Sequence, residues 1–309
     1  MTPVKWVYSF LEKYRYKMAA GLLMVTGIAL LTIVNPYISG RIVDDVITGG
    51  NYKLLPVLIG CLLGVVALKG ILRYASQVMF EICSQGVLYS MRDAVYRKLL
   101  QEDFSFYNKN RTGDLMSRQT GDMDAIRHFI AYIIYSVYEN ILLLSFALIM
   151  IFTVNVKLAL AMLVVLPFTA LTTYGQSKSV RPAFMKIRQQ FSSLNTFVQE
   201  NISGNRVVKA FAREDFEIEK FNKENDAYRD AELNAAAIWK KYVPIFEFLS
   251  NILTVVLMLY GGYMVIQGEI TMGNLVTVNG YLWMLTVPLR MAGWGVNDIH
   301  RFTTSAEKI

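Results

Sequence analysis

Residues 18–40 read MAAGLLMVTGIALLTIVNPYISG, and this stretch contains no charged side chain. The hydrocarbon core of a bilayer is about 30 Å thick, and a helix of about 20 apolar residues can cross it. The stretch therefore predicts a membrane-spanning helix. The composition of the whole chain agrees with this interpretation, because 54% of its 309 residues are hydrophobic and only 18% are charged. An ordinary soluble domain would be less apolar.

Five further stretches are apolar enough to cross a bilayer, which gives six predicted spans. They are Leu54 to about Met79, Phe129–Val156, Leu158–Ser177, Tyr242–Gln267 and Ile270–Leu289. Spans three and four are separated by little more than Asn155 and Lys157, and spans five and six by a turn around Gly268. Such short connections predict tight helical hairpins. We therefore expect an all-α, polytopic membrane protein with residues 1–309 forming one transmembrane domain.

The basic residues lie almost entirely on one side of these spans. Only Arg41, Lys53 and Lys157 would lie on one face, whereas 25 of the 31 Lys and Arg would lie on the other. Because basic loops remain cytosolic, both termini are expected in the cytosol. The chain is expected in the cell (plasma or inner) membrane, with membrane lipid as a partner. The formal net charge of +7 is usual for such a protein, so no nucleic-acid partner is expected.

Two long cytosolic loops, 81–127 and 178–241, would be unusual in a compact protein if they were unstructured. Apolar residues recur in them at helical spacing, at Leu88, Met91, Val95 and Leu99 and again at Ile187, Phe191, Leu194, Val198 and Ile202. The pattern predicts that spans two to five continue as helices beyond the membrane. About 25 extra residues would extend about 37 Å. An independent cytosolic helical domain is the alternative.

The helical pattern breaks once in each loop. Residues 104–114 read FSFYNKNRTGD, in which Asn, Thr and Gly favour a helix end, and Thr112 or Asp114 could cap the next helix. In the second loop Gly204-Asn205 is expected to end the helix, and phenylalanines then alternate with charged residues up to Phe221. That alternation is typical of a short helix seated in a partner's groove or of a solvated amphipathic turn, and the pattern alone does not separate the two.

At these breaks the sequence resembles the transmembrane domain of ATP-binding-cassette (ABC) exporter half-transporters, of the six-helix multidrug and lipid type. The segments that carry the resemblance are 106–118 (FYNKNRTGDLMSR), 122–124 (DMD), 204–216 (GNRVVKAFAREDF), 36–44 (PYISGRIVD), 270–275 (ITMGNL) and 305–309 (SAEKI). The resemblance implies that the two breaks are coupling helices that contact nucleotide-binding domains. The residues assigned to them are Tyr107, Asn108, Asn110, Thr112, Gly113, Asp114, Phe211, Ala212, Arg213, Glu214 and Phe216.

The resemblance also implies partners and a source of free energy. The functional unit of the family is a dimer, so a second transmembrane half, identical or related, is expected together with nucleotide-binding domains that hold ATP and Mg²⁺. Residues 1–309 contain no G-x-x-x-x-G-K-S/T phosphate loop, so no cofactor, catalytic residue or ATP hydrolysis is assigned to them. Because the family normally carries its ATPase domain next, a truncated half-transporter is expected, with a separate ATPase polypeptide as the alternative.

Ionisable residues within membrane spans are costly, so they are candidate cargo contacts. Lys69, Glu247 and Arg290 would lie about 8 Å above the inner boundary, judged from span lengths. Glu247 is expected to offset Arg290 or Lys69. Glu139 would lie nearer the middle, and changing it to Lys is expected to alter cargo selectivity without loss of folding. Interhelical pairing or snorkelling to the headgroups is the alternative, particularly for Arg73.

Tyrosine and methionine side chains are candidates for the wall of a cargo cavity. They are Tyr132, Tyr135 and Tyr138, which share a face of span three with Glu139, and Tyr281 and Met284 in span six. Such adaptable, partly polar side chains suit varied amphipathic small molecules or lipids. The same spacing is at least as typical of packing between helices. No metal site is expected, because His128 and His300 have no companion at ligand spacing.

Trp6, Phe10 and Tyr14 recur at helical spacing among basic residues, which predicts a helix lying on the inner membrane surface before span one. The sequence as a whole predicts the cargo-translocating domain of an ATP-driven exporter working by alternating access. A gradient-driven secondary transporter is one alternative, although long cytosolic extensions are not typical of that class. A regulatory or scaffold membrane protein without transport is another. Neither the cargo nor the identity of the second half follows from the sequence.

Overall fold

The structure, a computed structural model, describes residues 3–309, and within that range it consists of helices and turns. Its α-helices are α1 (Pro3–Leu11), α2 (Arg15–Arg41), α3 (Leu55–Gln101), α4 (Phe104–Lys109), α5 (Thr112–Ser117), α6 (Met123–His128), α7 (Ile134–Val154), α8 (Val156–Leu163), α9 (Val165–Ala210), α10 (Glu214–Val256), α11 (Gly262–Ile266) and α12 (Met272–Lys308). Short π-helical segments at Ile42–Thr48, Arg118–Asp122, Phe129–Ile133 and Leu257–Gly261 extend or join them. The all-α fold predicted from the sequence is confirmed.

Five continuous helical runs between residues 3 and 309 are long and apolar enough to cross a membrane. They are Pro3–Thr48, Tyr52–Gln101, Thr112–Val154, Val156–Ala210 and Glu214–Ile266. These runs cover the first five predicted spans, except for the last one or two residues of spans three and five. The predicted sixth span falls mainly in α12, where Asn274 and Asn279 interrupt the apolar sequence.

Three helices are much longer than a bilayer is thick. The helix α3 has 47 residues, α9 has 46 and α10 has 43. At 1.5 Å per residue, α3 is about 70 Å long, and crossing the hydrocarbon core uses less than half of that length. Because each helix continues from its apolar span into the polar extension without a break, the alternative of an independent cytosolic helical domain is wrong.

Polar side chains begin the helices at the two predicted tight hairpins. The Asn155 carboxamide oxygen accepts hydrogen bonds from the backbone N–H of Lys157 at 2.9 Å and of Leu158 at 3.3 Å. The Thr271 hydroxyl accepts from the N–H of Asn274 at 3.0 Å. Each cap stabilises a helix start by about 1 kcal/mol. Caps at these positions explain why the chain reverses where the sequence indicated.

Contacts divide the chain into two units, and the first comprises the chain up to Leu166 together with Ile252–Ile309. It contains two large apolar clusters. One joins α2, α7, α8 and α12 through residues that include Ala29, Ala147, Leu158 and Val278. The other joins α1, α3, α6 and α12 through Val7, Met91, Met123 and Phe302. The first helix, α1, thus packs on protein through Val7, while its predicted place on the membrane surface remains a prediction.

The helices α2 and α12 approach each other closely in this unit. The Tyr281 hydroxyl donates to the carbonyl oxygen of Ile33 at 3.0 Å. A Cβ atom added to Gly280 would lie 2.6 Å from Cβ of Pro36, so only glycine permits the approach. Beyond the end of α2, the Asp44 carboxylate accepts from the N–H of Gly273 at 2.7 Å. The sequence segments 36–44 and 270–275 are therefore neighbours.

The second unit, Pro167–Asn251, contains most of α9 and α10. The two helices run antiparallel, because contacts pair residues from opposite ends of the segment. The pairs are Ser179 with Tyr242 (3.2 Å between oxygens), Phe191 with Tyr228 (5.7 Å between rings), Phe197 with Phe221 (6.4 Å between rings) and Asn201 with Glu217 (3.0 Å). These contacts form a helical hairpin that is closed by the turn after Ala210.

Candidate functional site

The first predicted break forms a compact tip, residues 102–117, after the end of α3. Asp103 precedes α4, and its carboxylate accepts from the Phe106 N–H at 3.0 Å and from the Ser105 hydroxyl at 2.7 Å. The Tyr107 hydroxyl donates to the carbonyl oxygen of Leu99 at 2.6 Å. This last bond ties α4 to the final turn of α3, so the first tip is fixed to the helix that carries it.

The cap of the first tip is not the one that the sequence suggested. Neither Thr112 nor Asp114 caps α5, because the helix begins at Thr112 and the side chain of the preceding Arg111 accepts no bond. The cap belongs to Asp103 and α4. Hydrogen bonds from the Ser105 hydroxyl and then the Phe106 N–H favour the charged carboxylate, so the pKa of Asp103 is below its usual value.

The surface of the first tip combines one protruding aromatic ring with polar groups. Phe104 is 89% exposed, and Lys109 and Arg111 are exposed beside it. The predicted contact residues Tyr107, Asn108, Thr112, Gly113 and Asp114 are also exposed. Asn110 is half-buried, and its side chain donates to the carbonyl oxygen of Phe106 at 3.0 Å, so it closes α4. Phe104 is the exposed group that sequence reasoning did not assign to the site.

The second predicted break lies later than expected. The helix α9 passes through Gly204 and Asn205 and ends at Ala210, so the predicted end at Gly204-Asn205 is wrong. A single glycine in a helix costs only about 1 kcal/mol, which packing along a helix of 46 residues offsets. The actual break is the three-residue turn Phe211–Arg213, after which α10 begins at Glu214.

The geometry of this turn is that of a Schellman helix end. Ala212 has a φ of +49°, in the left-handed region. The N–H of Arg213 donates to the carbonyl oxygen of Val208 at 3.1 Å, and the N–H of Ala212 donates to that of Lys209 at 3.3 Å. Lys209 also forms an ion pair with Glu214 at 2.8 Å, which holds the pKa of Glu214 below its usual value. The segment is therefore a braced turn and not a separate short helix.

The second tip, residues 207–218, is also apolar at its surface. Phe211 is 74% exposed, and Val207, Phe216 and Ile218 are exposed around it. Ala212 and Arg213 are exposed too, whereas Glu214 is half-buried by its ion pair. Apolar groups that protrude from a polar surface are typical of protein contact sites. Each long extension thus ends in a braced tip that presents a phenylalanine.

Within the predicted spans, the structure pairs Arg73 with Glu139. The two side chains form a bidentate ion pair between α3 and α7, with N–O distances of 2.6 and 2.5 Å. The side chains are only 32% and 13% exposed. For Arg73 the structure shows interhelical pairing, one of the two alternatives to a cargo role, and the contact of Glu139 with cargo stays a prediction. The sequence identified both residues as ionisable groups within spans, but it did not indicate that helix packing brings them together.

The other ionisable candidates have different surroundings. Lys69 lies one helical turn before Arg73 on α3 and is half-buried, and no carboxylate among residues 3–309 comes within 4.0 Å of it. Arg290 is exposed on α12. Glu247 is exposed and belongs to the second unit, so its predicted compensation of Arg290 or Lys69 stays a prediction.

Most of the aromatic candidates pack between helices. Tyr281 and Met284 are fully buried, and Tyr135 packs on Phe80 with ring centroids 5.2 Å apart. Tyr138 is half-buried and bonded through its hydroxyl to Thr26 at 2.9 Å. These contacts agree with packing, which was the alternative, and the cavity-wall role of these residues stays a prediction. Only Tyr132 is exposed among the five.

A further connection joins the end of α12 to the start of the third span. The rings of Phe129 and Phe302 stack at 4.1 Å. The Ser305 hydroxyl donates to the Asp122 carboxylate at 2.9 Å, and Lys308 approaches it at 3.8 Å. Sequence reasoning noted segments 122–124 and 305–309 separately, but no spacing in the chain indicated that they meet.

Known proteins of similar sequence indicate the family of this chain. The sequence model of the family described as ABC transporter transmembrane region matches residues 18–289. An uncharacterized ABC transporter ATP-binding protein, YknU, of Bacillus subtilis is 36% identical over 96% of this chain and 51% of its own length. An ATP-dependent lipid A-core flippase of Syntrophus aciditrophicus is 26% identical (96% and 49%), and the multidrug resistance-like ATP-binding protein MdlA of Escherichia coli is 27% identical (96% and 50%). The chain spans about half the length of these relatives.

Proposed function

The chain belongs to the family of ABC transporter transmembrane regions and is a multi-pass membrane protein, and on that premise we propose that it is the cargo-translocating half of an ATP-driven exporter. ATP and Mg²⁺ would bind at nucleotide-binding domains, and a second transmembrane half would complete the unit. The names of relatives, which include a lipid flippase and a multidrug resistance-like protein, support an amphipathic cargo.

The single observation that carries the proposal is the pair of braced tips. A transporter driven by soluble domains needs surfaces that those domains can grip and rigid elements that carry the displacement into the membrane. Phe104 and Phe211 provide protruding apolar groups, and α3, α9 and α10 run unbroken from the tips into the spans. Closure of the ATPase domains on ATP would then move the tips and, through these helices, the spans.

Cargo contact is proposed for side chains of the first unit that packing leaves accessible. They are Lys69, Tyr132 and Arg290, each exposed or half-buried in the isolated chain. Ionisable groups at membrane depth typically face the bundle interior or a water-filled cavity. The central cavity of the dimer is the place where these three would meet an amphipathic molecule.

Cargo-stimulated ATP hydrolysis by the full-length transporter in lipid tests the proposal. Phe104→Ala and Phe211→Ala remove the protruding groups without touching the bonds that brace the tips. We expect basal hydrolysis to persist while stimulation by cargo, screened over neutral, cationic and anionic amphiphiles, falls by about tenfold, as for loss of a contact of about 1.4 kcal/mol at an interface. Tyr89→Ala is the matched control, because Tyr89 is exposed on α3 away from the tip.

Three results would speak against the proposal. Full stimulation in both phenylalanine variants would show that the tips do not transmit the ATPase signal. Transport that continues without ATP and follows an ion gradient would indicate a secondary transporter. ATP hydrolysis that no amphiphile stimulates, together with no cargo movement, would indicate a regulatory or scaffold protein.

A further inference from the structure

The second unit has a concentrated group of basic residues at the membrane end of its helical hairpin. No Asp or Glu occurs in residues 165–199 or in residues 233–246. The basic residues of these stretches, which we call the basic patch, are Lys178, Arg181, Lys186, Arg188, Lys240 and Lys241. All six are exposed. Their positive charge is thus not balanced by any carboxylate of the same stretches.

The basic patch also lacks the ion pairs that occur farther along the same helices. Among residues 3–309, none of its six members has a carboxylate within 4.0 Å. The ammonium group of Lys241 lies over the ring of Tyr242, 5.5 Å from its centroid. Toward the second tip, by contrast, Lys223 pairs with Glu219 at 3.5 Å and Arg229 with Asp226 at 2.8 Å. The charges of Lys223 and Arg229 are thus compensated within the protein, whereas those of the patch are left for an external anion.

The residues of the basic patch on α9 and those on α10 lie at the same height along the helical hairpin. The hydroxyls of Ser179 and Tyr242 are 3.2 Å apart, which places Lys178 and Arg181 of α9 beside Lys240 and Lys241 of α10. On α9, a groove of about 800 Å³ is lined by Arg181, Lys186, Arg188 and Gln189 together with Pro182 and Met185. A cationic rim beside apolar side chains suits a ligand with an anionic head and a hydrocarbon body.

This level coincides with the end of the apolar sequence. The fourth span ends near Ser177 and the fifth begins near Tyr242. Residues 178–188 follow the first of these and cover about 16 Å at helical rise. The polar region of one leaflet is about 5–8 Å thick, so these residues begin at that region and extend beyond it. Clusters of four to eight Lys and Arg in this position are the pattern that attracts anionic lipids.

We propose that the basic patch binds the headgroups of anionic phospholipids of the inner leaflet. The inference rests on the proposed function only in requiring that the tips be cytosolic. The lipid is a resident ligand and not the cargo. Its phosphodiester groups would neutralise the patch and hold the membrane ends of α9 and α10 at a fixed depth.

Trp239, next to Lys240, provides a local probe. The experiment uses the full-length transporter with its other tryptophans changed to phenylalanine, in nanodiscs of phosphatidylcholine. Phosphatidylglycerol or phosphatidylcholine brominated near the acyl carbonyls is added at equal mole fraction, and quenching of Trp239 fluorescence is measured. We expect stronger quenching by the brominated phosphatidylglycerol, a preference that declines as salt screens the headgroups.

Variants locate the effect on the patch. Lys240→Gln and Lys241→Gln should lower the preference for phosphatidylglycerol by about fivefold for each charge removed, and Lys178→Gln with Arg181→Gln should act similarly. Lys223→Gln and Arg229→Gln remove the same charge from the same helix α10 where it is already paired, and should leave the preference unchanged.

The outcomes separate this proposal from the function. Equal quenching by both lipids, quenching by neither, or a preference that survives loss of the patch charges would overturn lipid binding here, whatever the ATPase assay shows. Selective quenching without cargo-stimulated ATP hydrolysis would leave the lipid site standing and refute the exporter.

Discussion

At the residue scale, the Arg73–Glu139 pair shows how charge is kept within a membrane domain. Both side chains are largely withdrawn from solvent, and each guanidinium N–H that faces α7 has a carboxylate oxygen opposite it. Lys69 adds a positive charge one turn away on α3. The carboxylate therefore compensates a local excess of cations, which gives Glu139 a structural role whatever the cargo is.

Glu139→Gln should destabilise the domain. It leaves Arg73 without its counterion and should lower the free energy of unfolding by on the order of 2 kcal/mol, less than for a fully buried pair because Arg73 keeps some solvent contact. Glu139→Lys, earlier expected to fold normally, should be worse, since it adds a third cation. The measurement is thermal stability in detergent by fluorescence-detected size exclusion.

The control for that prediction is the exposed pair Lys157–Glu269, whose side chains are 65% and 40% exposed. Its loss in Lys157→Gln should cost no more than about 1 kcal/mol. A double change of Arg73 and Glu139 to Gln should recover part of the stability lost in Glu139→Gln. If Glu139→Gln and Lys157→Gln were equally mild, the pair would have no structural role.

At the strained turn of the second tip, a substitution is expected to increase local stability. Ala212 has a φ of +49°, and such a left-handed conformation costs an L-residue about 1 kcal/mol that glycine does not lose. Ala212→Gly should therefore slow amide hydrogen exchange around residues 208–216. Ala236→Gly, in the exposed middle of α10, should instead accelerate local exchange, because glycine in a helix interior is unfavourable by about 1 kcal/mol. Changes of the same sign would contradict the assigned turn.

Acid should loosen the first tip. Because the folded pKa of Asp103 is below its usual value, the cap contributes fully above the unfolded pKa of about 4 and is lost as pH falls through the folded pKa. A fluorophore on Lys109→Cys should show decreasing anisotropy below about pH 4. Asp103→Asn keeps a capping oxygen without the titration, so its anisotropy should not follow pH. An identical pH response in both proteins would exclude Asp103 as the cause.

At the scale of elements, the sequence predicted best what depends on helical period and apolar length. The spans, the continuous extensions of α3, α9 and α10, and the hairpin at Asn155 follow from those two properties. The helix ends were harder, because Gly204 does not end a helix that packing supports and Ala212 gives no sign that it will adopt a positive φ. Pairings such as Arg73 with Glu139 depend on rotation of one helix against another, which sequence periodicity does not determine.

Glycines in α9 and α3 differ in the space around them, and this difference predicts opposite effects of alanine on stability. A Cβ added to Gly204 meets no atom within 4 Å, so Gly204→Ala should stabilise α9 by about 0.5–1 kcal/mol. A Cβ added to Gly86 of α3 would overlap the ring of Tyr14, so Gly86→Ala should lower thermal stability. A loss of stability in Gly204→Ala would mean that this glycine, and the break once expected there, serves a contact outside the isolated chain.

At the scale of the whole molecule, the proposed function depends on which side of the membrane the tips occupy. Electrostatics favours the cytosolic side, because the basic residues of the extensions, the termini and the basic patch would all have to cross the bilayer if the orientation were reversed. The turn between α2 and α3, which contains Asn51, carries few charges and is the corresponding segment of the other side.

Cysteine labelling in intact cells measures this orientation. In a chain with Cys61 and Cys83 changed to alanine, Asn51→Cys should react with a membrane-impermeant maleimide from outside. Ser105→Cys at the first tip and Asp215→Cys at the second should react only after the membrane is permeabilised, since both positions are exposed and the basic residues around them predict a cytosolic location. The two tips are tested separately because each belongs to a different unit. If either tip were labelled from outside, no cytosolic ATPase domain could contact that tip. The proposed transmission of ATPase closure through that tip into the spans would then be excluded.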